Sequence, residues 1–178
     1  MRRWARAMAL GALLAAAACG GGGEAGPDLS LHGARVYLDT AAPFASAPDF
    51  EARLESTLAA ALAYWGGGWD HLSGFSVTFT DDARVPCGDG VALGCIDGRS
   101  IRLTTRDPAL GGFACVEQTV LVHEVGHAVV GDPSHQDPRW MEMEEISDAL
   151  SGRTGYTPQG EEPCTIYVSV WRHILGVR

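Results

Sequence analysis

The chain has 178 residues and a formal net charge of −9, with 13 arginines, no lysine and 22 acidic side chains. This length is enough for one domain with a sizeable core. Because nucleic acids and anionic lipid surfaces are bound by clustered cations, the excess of acids argues against both kinds of partner.

Residues 1–18 predict a secretory signal peptide. Three arginines precede an apolar run from Met8 to Ala18, which is too short to span a membrane. The run ends in Ala-Ala-Ala-Cys19 and resembles the lipobox of bacterial lipoproteins, with Ala where Leu is commoner. The resemblance implies cleavage before Cys19 and lipid on its thiol, and an ordinary cleavage site is the alternative. We therefore expect an exported protein, anchored by lipid alone to the bacterial envelope and preferably to the outer membrane, or otherwise periplasmic or secreted.

The residues after the signal peptide divide into a spacer and one domain. Residues 19–31 are small, flexible and polar, which is typical of a spacer, and residues 32–178 form the predicted domain. Alternating apolar residues predict strands at 34–39 and 75–80. Between them, apolar residues at helical spacing predict a helix from Phe50 to Trp65, capped by Ser46 or Asp49 and ended by the glycines that follow.

The second half of the predicted domain has further strands and one apolar helix. Residues 95–96 and 100–105 predict strands around an Asp-Gly turn, and residues 116–130 predict the helix. The order is strand, helix, strands and helix, with no internal repeat. Mixed strands beside a few helices indicate the α+β class.

Four cysteines remain after Cys19 and predict disulfides: Cys87, Cys95, Cys115 and Cys164. In an exported protein an even set suggests two bridges, for which three pairings are possible. A Cys87–Cys95 bridge would close a glycine-rich loop, and Cys115 with Cys164 would then hold the C-terminal region. A thiolate zinc site is disfavoured because the chain contains no Cys-x-x-Cys pair.

Residues 123–127 read His-Glu-Val-Gly-His within the second predicted helix. Residues four apart lie on one helix face, so the imidazoles of His123 and His127 can bind one Zn²⁺. Glu124 lies one residue further round the helix, where its carboxylate can take a proton from a metal-bound water. The alternative is a core histidine pair with an ion-paired glutamate, which would require partners for three buried ionisable groups.

This motif is similar to that of the zincin metallopeptidases, and the strand–helix–strands–helix order resembles their upper subdomain. The resemblance implies a small zincin-like α+β domain with a mixed sheet, a Zn²⁺ cofactor, and Glu124 as the catalytic general base. It also implies hydrolysis of internal bonds in a peptide or protein substrate. We expect the enzyme to be a monomer.

The third zinc ligand separates the subgroups of the family. The metzincin pattern continues with Gly and a third His, and here Gly131 and His135 both come later, His135 by two residues. Gly131 can still end the helix in the left-handed conformation, so that His135 turns back to the metal. Asp137-Pro138 and Met141 resemble the Asp-Pro and the Met-turn of the matrixin subgroup, and a core methionine is the alternative for Met141.

The gluzincins take their third ligand from a glutamate on a later helix. Asp137 and Pro138 can begin such a helix, and residues 144–148 resemble the family's Glu-x-x-Ser-Asp segment. That resemblance implies Glu144 as an alternative ligand and Asp148 as a residue that orients a histidine, whereas an exposed acidic face is the alternative. Asp132 and Asp137 can also orient an imidazole, or serve only in a turn and a cap.

We expect His135 rather than Glu144 as the third ligand, and Tyr156 is a weaker candidate for oxyanion stabilisation. A different function class also fits, namely a surface lipoprotein that binds zinc for structure or for a partner without turnover. Only residues 128–178 follow the motif, which leaves little chain for a substrate cleft and favours that alternative. Glu124 argues against it, because a structural zinc site requires no base.

Overall fold

The computed structural model describes residues 26–107, 112–113 and 116–143. Its two α-helices are α1 (Phe50–Trp65) and α2 (Val116–Val130), with 3₁₀ turns at Pro43–Ser46 and Trp69–Leu72. Residues 139–143 are also helical. The strands are β1 (Leu29–Leu31), β2 (Ala34–Asp39), β3 (Ser76–Thr80), β4 (Val85–Cys87), β5 (Gly90–Ala92), β6 (Gly94–Asp97), β7 (Ser100–Thr104), β8 (Arg106–Asp107) and β9 (Gly112–Phe113). Both predicted helices and the strands predicted near residues 34, 75, 95 and 100 are confirmed.

Five strands form one mixed sheet in the order β1-β2-β3-β7-β6. The three central strands are parallel, and the two edge strands, β1 and β6, pair antiparallel with their neighbours. Helix α1 is the crossover between the parallel strands β2 and β3, since parallel neighbours cannot be joined by a tight turn. A mixed sheet with separate helices is compatible with the predicted α+β class.

The folded part begins earlier than the sequence predicted. Residues 29–31, assigned to the spacer, form β1 and pair with β2 in the register Leu29↔Val36 to Leu31↔Ala34. Leu31 is buried in the core. The strand has only three residues, which is too short to show an alternating pattern. Residues 1–25, with the signal peptide and Cys19, lie outside the described residues, and no described helix is long and apolar enough to cross a bilayer.

Helix α1 packs into the core with the apolar residues that predicted it. The buried positions Phe50, Leu54, Leu58, Leu62 and Trp65 recur at helical spacing. Gly66 ends the helix at a φ of 78°, a left-handed conformation in which a side chain would be strained. Asp49 precedes the helix, but its carboxylate pairs with Arg53 at 3.3 Å and caps no backbone amide.

Helix α2 packs closely against two tryptophans. The indole Nε1 of Trp65 donates a hydrogen bond to the carbonyl of Val122 at 2.8 Å. At Gly126, a Cβ would lie 2.6 Å from both Trp140 Cη2 and Trp65 Cε2. The helix can therefore approach this close only because residue 126 has no side chain.

Gly126→Ala is expected to lower the free energy of unfolding. Overpacking a core costs about 1–3 kcal/mol, which outweighs the gain of about 1 kcal/mol from replacing a helical glycine by alanine. Urea denaturation measures the change. The control is Gly90→Ala, where a Cβ would meet nothing closer than the Cys87 carbonyl oxygen at 3.8 Å, and where a change within about 0.5 kcal/mol is expected. An unfolding free energy at or above wild type for Gly126→Ala would contradict this packing.

A disulfide joins strand β4 to the edge strand β6. Cys87 and Cys95 are bonded, with their Cα atoms 5.5 Å apart. This confirms one of the two predicted bridges, whereas Cys115 and Cys164 lie outside the described residues. Since β4 belongs to a hairpin with β5, the bridge holds that hairpin beside β6.

Candidate metal centre

Three imidazoles converge at the C-terminal end of α2. The Nε2 atoms of His123 and His127 lie 3.1 Å apart, and the Nε2 atoms of His127 and His135 are also 3.1 Å apart. One ring nitrogen from each of the three lies within 4.8 Å of the others. Nitrogens that share a tetrahedral metal at about 2.0–2.1 Å are separated by about 3.3 Å. The three histidines could therefore hold one metal ion.

The electrostatic environment favours the neutral form of the two imidazoles on α2, His123 and His127. Burial, followed by repulsion from His127 and His135, lowers the pKa of His123 to about 4. Burial and His135 also lower the pKa of His127, against an opposing effect of the Asp132 backbone carbonyl. A neutral imidazole keeps the lone pair that a metal requires, so the donor set fits a divalent cation.

The loop after α2 brings His135 back to the helix. Gly131 ends α2 at a φ of 65°, and its amide donates to the carbonyl of His127 at 3.0 Å. His135 itself has a φ of 53°, a left-handed conformation that costs a non-glycine residue on the order of 1 kcal/mol. The sequence predicted that His135 turns back towards His123 and His127, and the geometry supports this. The chain turns back through the left-handed conformations of Gly131 and His135.

The two acids predicted to orient imidazoles have different roles. At Asp132 it is the backbone carbonyl, not the carboxylate, that lies 3.1 Å from His127 Nδ1. Among the described residues, the Asp137 carboxylate hydrogen-bonds to no imidazole. It accepts the amide of Arg139 at 3.0 Å and pairs with the Arg139 guanidinium at 2.5 Å, and these contacts lower its pKa to about 2. Asp137 is therefore a helix cap for residues 139–143, as its alternative interpretation predicted.

A tryptophan, and not the predicted methionine, lies against the three histidines. Met141 is 70% exposed, so the prediction that it forms a Met-turn beside the ligands was wrong. Trp140 is only 5% exposed, and its ring centroid lies 4.9 Å from His123, 4.7 Å from His127 and 4.5 Å from His135. One helical residue is a rotation of about 100°, so adjacent positions face different surroundings.

The carboxyl of Glu124 is buried beside this cluster. Glu124 is 5% exposed. Burial raises its pKa to about 7, although a hydrogen bond from the backbone amide of Ile96 acts in the opposite direction. A carboxyl with a pKa near neutrality can accept and release a proton at physiological pH.

A cleft of about 590 Å³ lies between α2 and the edge strand β6. Its wall includes Gly94 and Ile96 of that strand, and Gly98 just after the strand, opposite the three histidines and Glu124. A Cβ at Gly94 would clash with Val120 and lie 2.9 Å from Glu124 Oε1. The absence of a side chain therefore lets β6 pass directly beside the carboxyl.

A second cavity of about 280 Å³ adjoins the first and shares His123 and Glu124 with it. Its other lining residues include Leu93, Val120 and Met143. The clustered polar groups therefore lie between a wide cleft and a smaller, more apolar one. This arrangement of apolar walls around a few polar groups is typical of ligand sites.

The structure does not reach every residue that the sequence singled out. Glu144, Asp148 and Tyr156, and therefore the gluzincin alternative, lie outside the described residues. Sequence reasoning missed Trp140 and the Ile96 amide, because their positions depend on contacts between distant segments. No family model, curated protein or solved structure matches the chain.

Proposed function

We propose that the protein is a zinc-dependent metalloendopeptidase with a zincin-like catalytic domain. The observation that carries this proposal is the convergence of three imidazoles beside the buried carboxyl of Glu124, with the Nε2 atom of His127 lying 3.1 Å from the Nε2 atom of each of the other two histidines. Three protein ligands that leave one position open are typical of catalytic zinc sites, whereas structural sites use four. Bound zinc would supply a water of lowered pKa and polarise a carbonyl oxygen.

The metal-binding residues are His123, His127 and His135. Each of the three offers one ring nitrogen, and these nitrogens lie within 4.8 Å of one another. Imidazoles also bind copper, iron and nickel, so the metal is chosen by the resemblance of the helical motif to zincins. Elemental analysis of protein purified without added metal tests this choice.

Glu124 is the proposed general base and, later, the proton donor to the leaving amine. Its carboxyl is one residue from His123 on α2 and borders the same cleft. Efficient proton transfer favours a group whose pKa lies near the working pH, and burial raises the pKa of Glu124 to about 7.

An extended peptide fits the cleft as a substrate. Strand β6 is an edge of the described sheet, and sheet edges bind extended peptides through main-chain hydrogen bonds. Gly94 of this strand and Gly98 just after it line the cleft, so no side chain covers the backbone at those two positions. We place this activity at the bacterial envelope, since the N-terminal sequence predicts export and a lipid anchor at Cys19.

The proposal is tested by incubating the full chain, loaded with Zn²⁺, with a peptide library and sequencing the products by mass spectrometry. We expect cleavage at internal peptide bonds that stops on chelation and returns when Zn²⁺ is restored. Cleavage that persists after chelation, or a library left intact by zinc-loaded protein, would contradict the proposal.

A further inference from the structure

The short loop between α2 and the helical residues 139–143 contains one side chain that organises it. We propose that Asp132 is a positioning residue of the metal centre, which presets both His135 and His127 for the ion. The inference rests on the proposed function in one respect, namely that the three histidines bind a metal. It assigns no contact between Asp132 and the metal.

The carboxylate of Asp132 accepts three backbone amides on both sides of His135. Its Oδ1 accepts the amide of Ser134 at 2.9 Å, and its Oδ2 accepts the amides of Gln136 at 2.5 Å and Asp137 at 3.1 Å. The residues immediately before and after His135 are therefore held by the same side chain. Such carboxylate–amide bonds are the Asx-turn type that sets a local backbone without a regular element.

These bonds matter because the contacts of His135 with other described residues are ring contacts, which do not fix its backbone conformation. The His135 side chain is exposed, and its backbone is in the left-handed region, which histidine seldom adopts. In the described residues its ring contacts are with Trp140 and the two other imidazoles. The backbone conformation that turns His135 towards α2 therefore depends on the loop, and the loop depends on Asp132.

The main chain of the same residue orients a second imidazole. The carbonyl oxygen of Asp132 lies 3.1 Å from Nδ1 of His127. When Nδ1 donates to this carbonyl, Nε2 has no proton and presents its lone pair to the metal. Because the carboxylate and the carbonyl belong to one residue, a change in the loop conformation would shift His127 as well as His135.

The inference is tested by the Zn²⁺ affinity of Asp132→Asn and Asp132→Ala, measured by competition with a chromophoric chelator. Asn keeps one side-chain oxygen and can accept hydrogen bonds from some of the three backbone amides, whereas Ala can accept none of them. We expect a graded loss, smaller for Asn and about 10- to 100-fold for Ala, the range for residues that orient metal ligands. Equal losses for Asn and Ala would indicate a charge effect and overturn the inference.

A charge-matched control is Asp97→Asn, which removes an exposed acid beside Gly98 of the cleft wall. Its Zn²⁺ affinity should equal that of wild type. Urea denaturation of the metal-free proteins excludes global unfolding as the cause of any loss, and Asp132→Asn provides a mild variant if Asp132→Ala does not fold. The visible spectrum of bound Co²⁺ should change in Asp132→Ala, since His135 would no longer be correctly placed.

A double-mutant cycle with His135→Ala shows whether Asp132 affects Zn²⁺ affinity through His135. If Asp132 acts largely through His135, most of the effect of Asp132→Ala on Zn²⁺ affinity disappears in the His135→Ala background. A full, additive loss in that background would overturn the inference. Failure of wild type to bind Zn²⁺ would instead refute the proposed function, whereas wild-type affinity in Asp132→Ala would refute only the role of Asp132.

Discussion

Glu124→Gln is expected to lower peptide hydrolysis by about 100- to 10,000-fold, the range for loss of a general base, without lowering zinc content. The amide has nearly the same size as the carboxyl, so it fits the buried site, in which Glu124 is 5% exposed. Its carbonyl oxygen can still accept the Ile96 amide. What it cannot do is take a proton from water and return it to the leaving amine.

For wild type and Glu124→Gln, we would measure the initial rate of hydrolysis of one cleaved peptide and the zinc content of the protein. The control is Glu142→Gln, which removes an exposed carboxyl on residues 139–143 and should leave both quantities unchanged. If Glu124→Gln hydrolyses the peptide at the wild-type rate, the general-base mechanism is wrong. If zinc-loaded wild type cleaves nothing, the zinc-binding lipoprotein without turnover becomes the better interpretation.

His135→Ala is expected to weaken Zn²⁺ binding by more than about 100-fold. Loss of a residue that only orients a ligand already costs about 10- to 100-fold, and this change removes a ligand itself. Two imidazoles, from His123 and His127, would remain on α2. Stability should change little without metal, because the side chain of His135 is exposed.

The matched control for this variant is His32→Ala. His32 is also exposed and also has a left-handed backbone, with a φ of 48°, but its Nε2 bonds to Glu55 and its ring stacks on Trp69. Its Zn²⁺ affinity should equal that of wild type in the chelator competition. Wild-type affinity in His135→Ala would contradict its role as a ligand and favour Glu144, the alternative predicted from the sequence.

The elements that the sequence predicted well are those whose signal is local. Helix α1 was predicted within its observed limits because its apolar residues recur every three or four positions and Gly66 follows directly. His123 and His127 were placed on one face for the same reason, since the helical repeat sets their separation whatever surrounds them. The Cys87–Cys95 bridge could be predicted because the two cysteines are only eight positions apart in the sequence.

The predictions that failed concerned features that depend on contacts between distant parts of the chain. Met141 and Trp140 are neighbours in the chain, and the local pattern does not say which of them faces the histidines. The buried indole lies there because Trp65 and the side-chain-free Gly126 leave a surface that it fills. Strand β1 was missed because three residues carry almost no periodicity, and their pairing with β2 defines the strand.

The sequence by itself determined that two imidazoles and a carboxyl share one helix, since this follows from the helical repeat alone. Gly131 signalled one left-handed turn, but only the tertiary structure showed that His135 is itself left-handed and that the Asp132 carboxylate accepts the backbone amides on either side of it. The tertiary structure also placed β6 beside Glu124, where burial raises the pKa of that carboxyl. Spacing along a helix is a property of the local backbone, whereas burial and loop closure arise from contacts between distant segments.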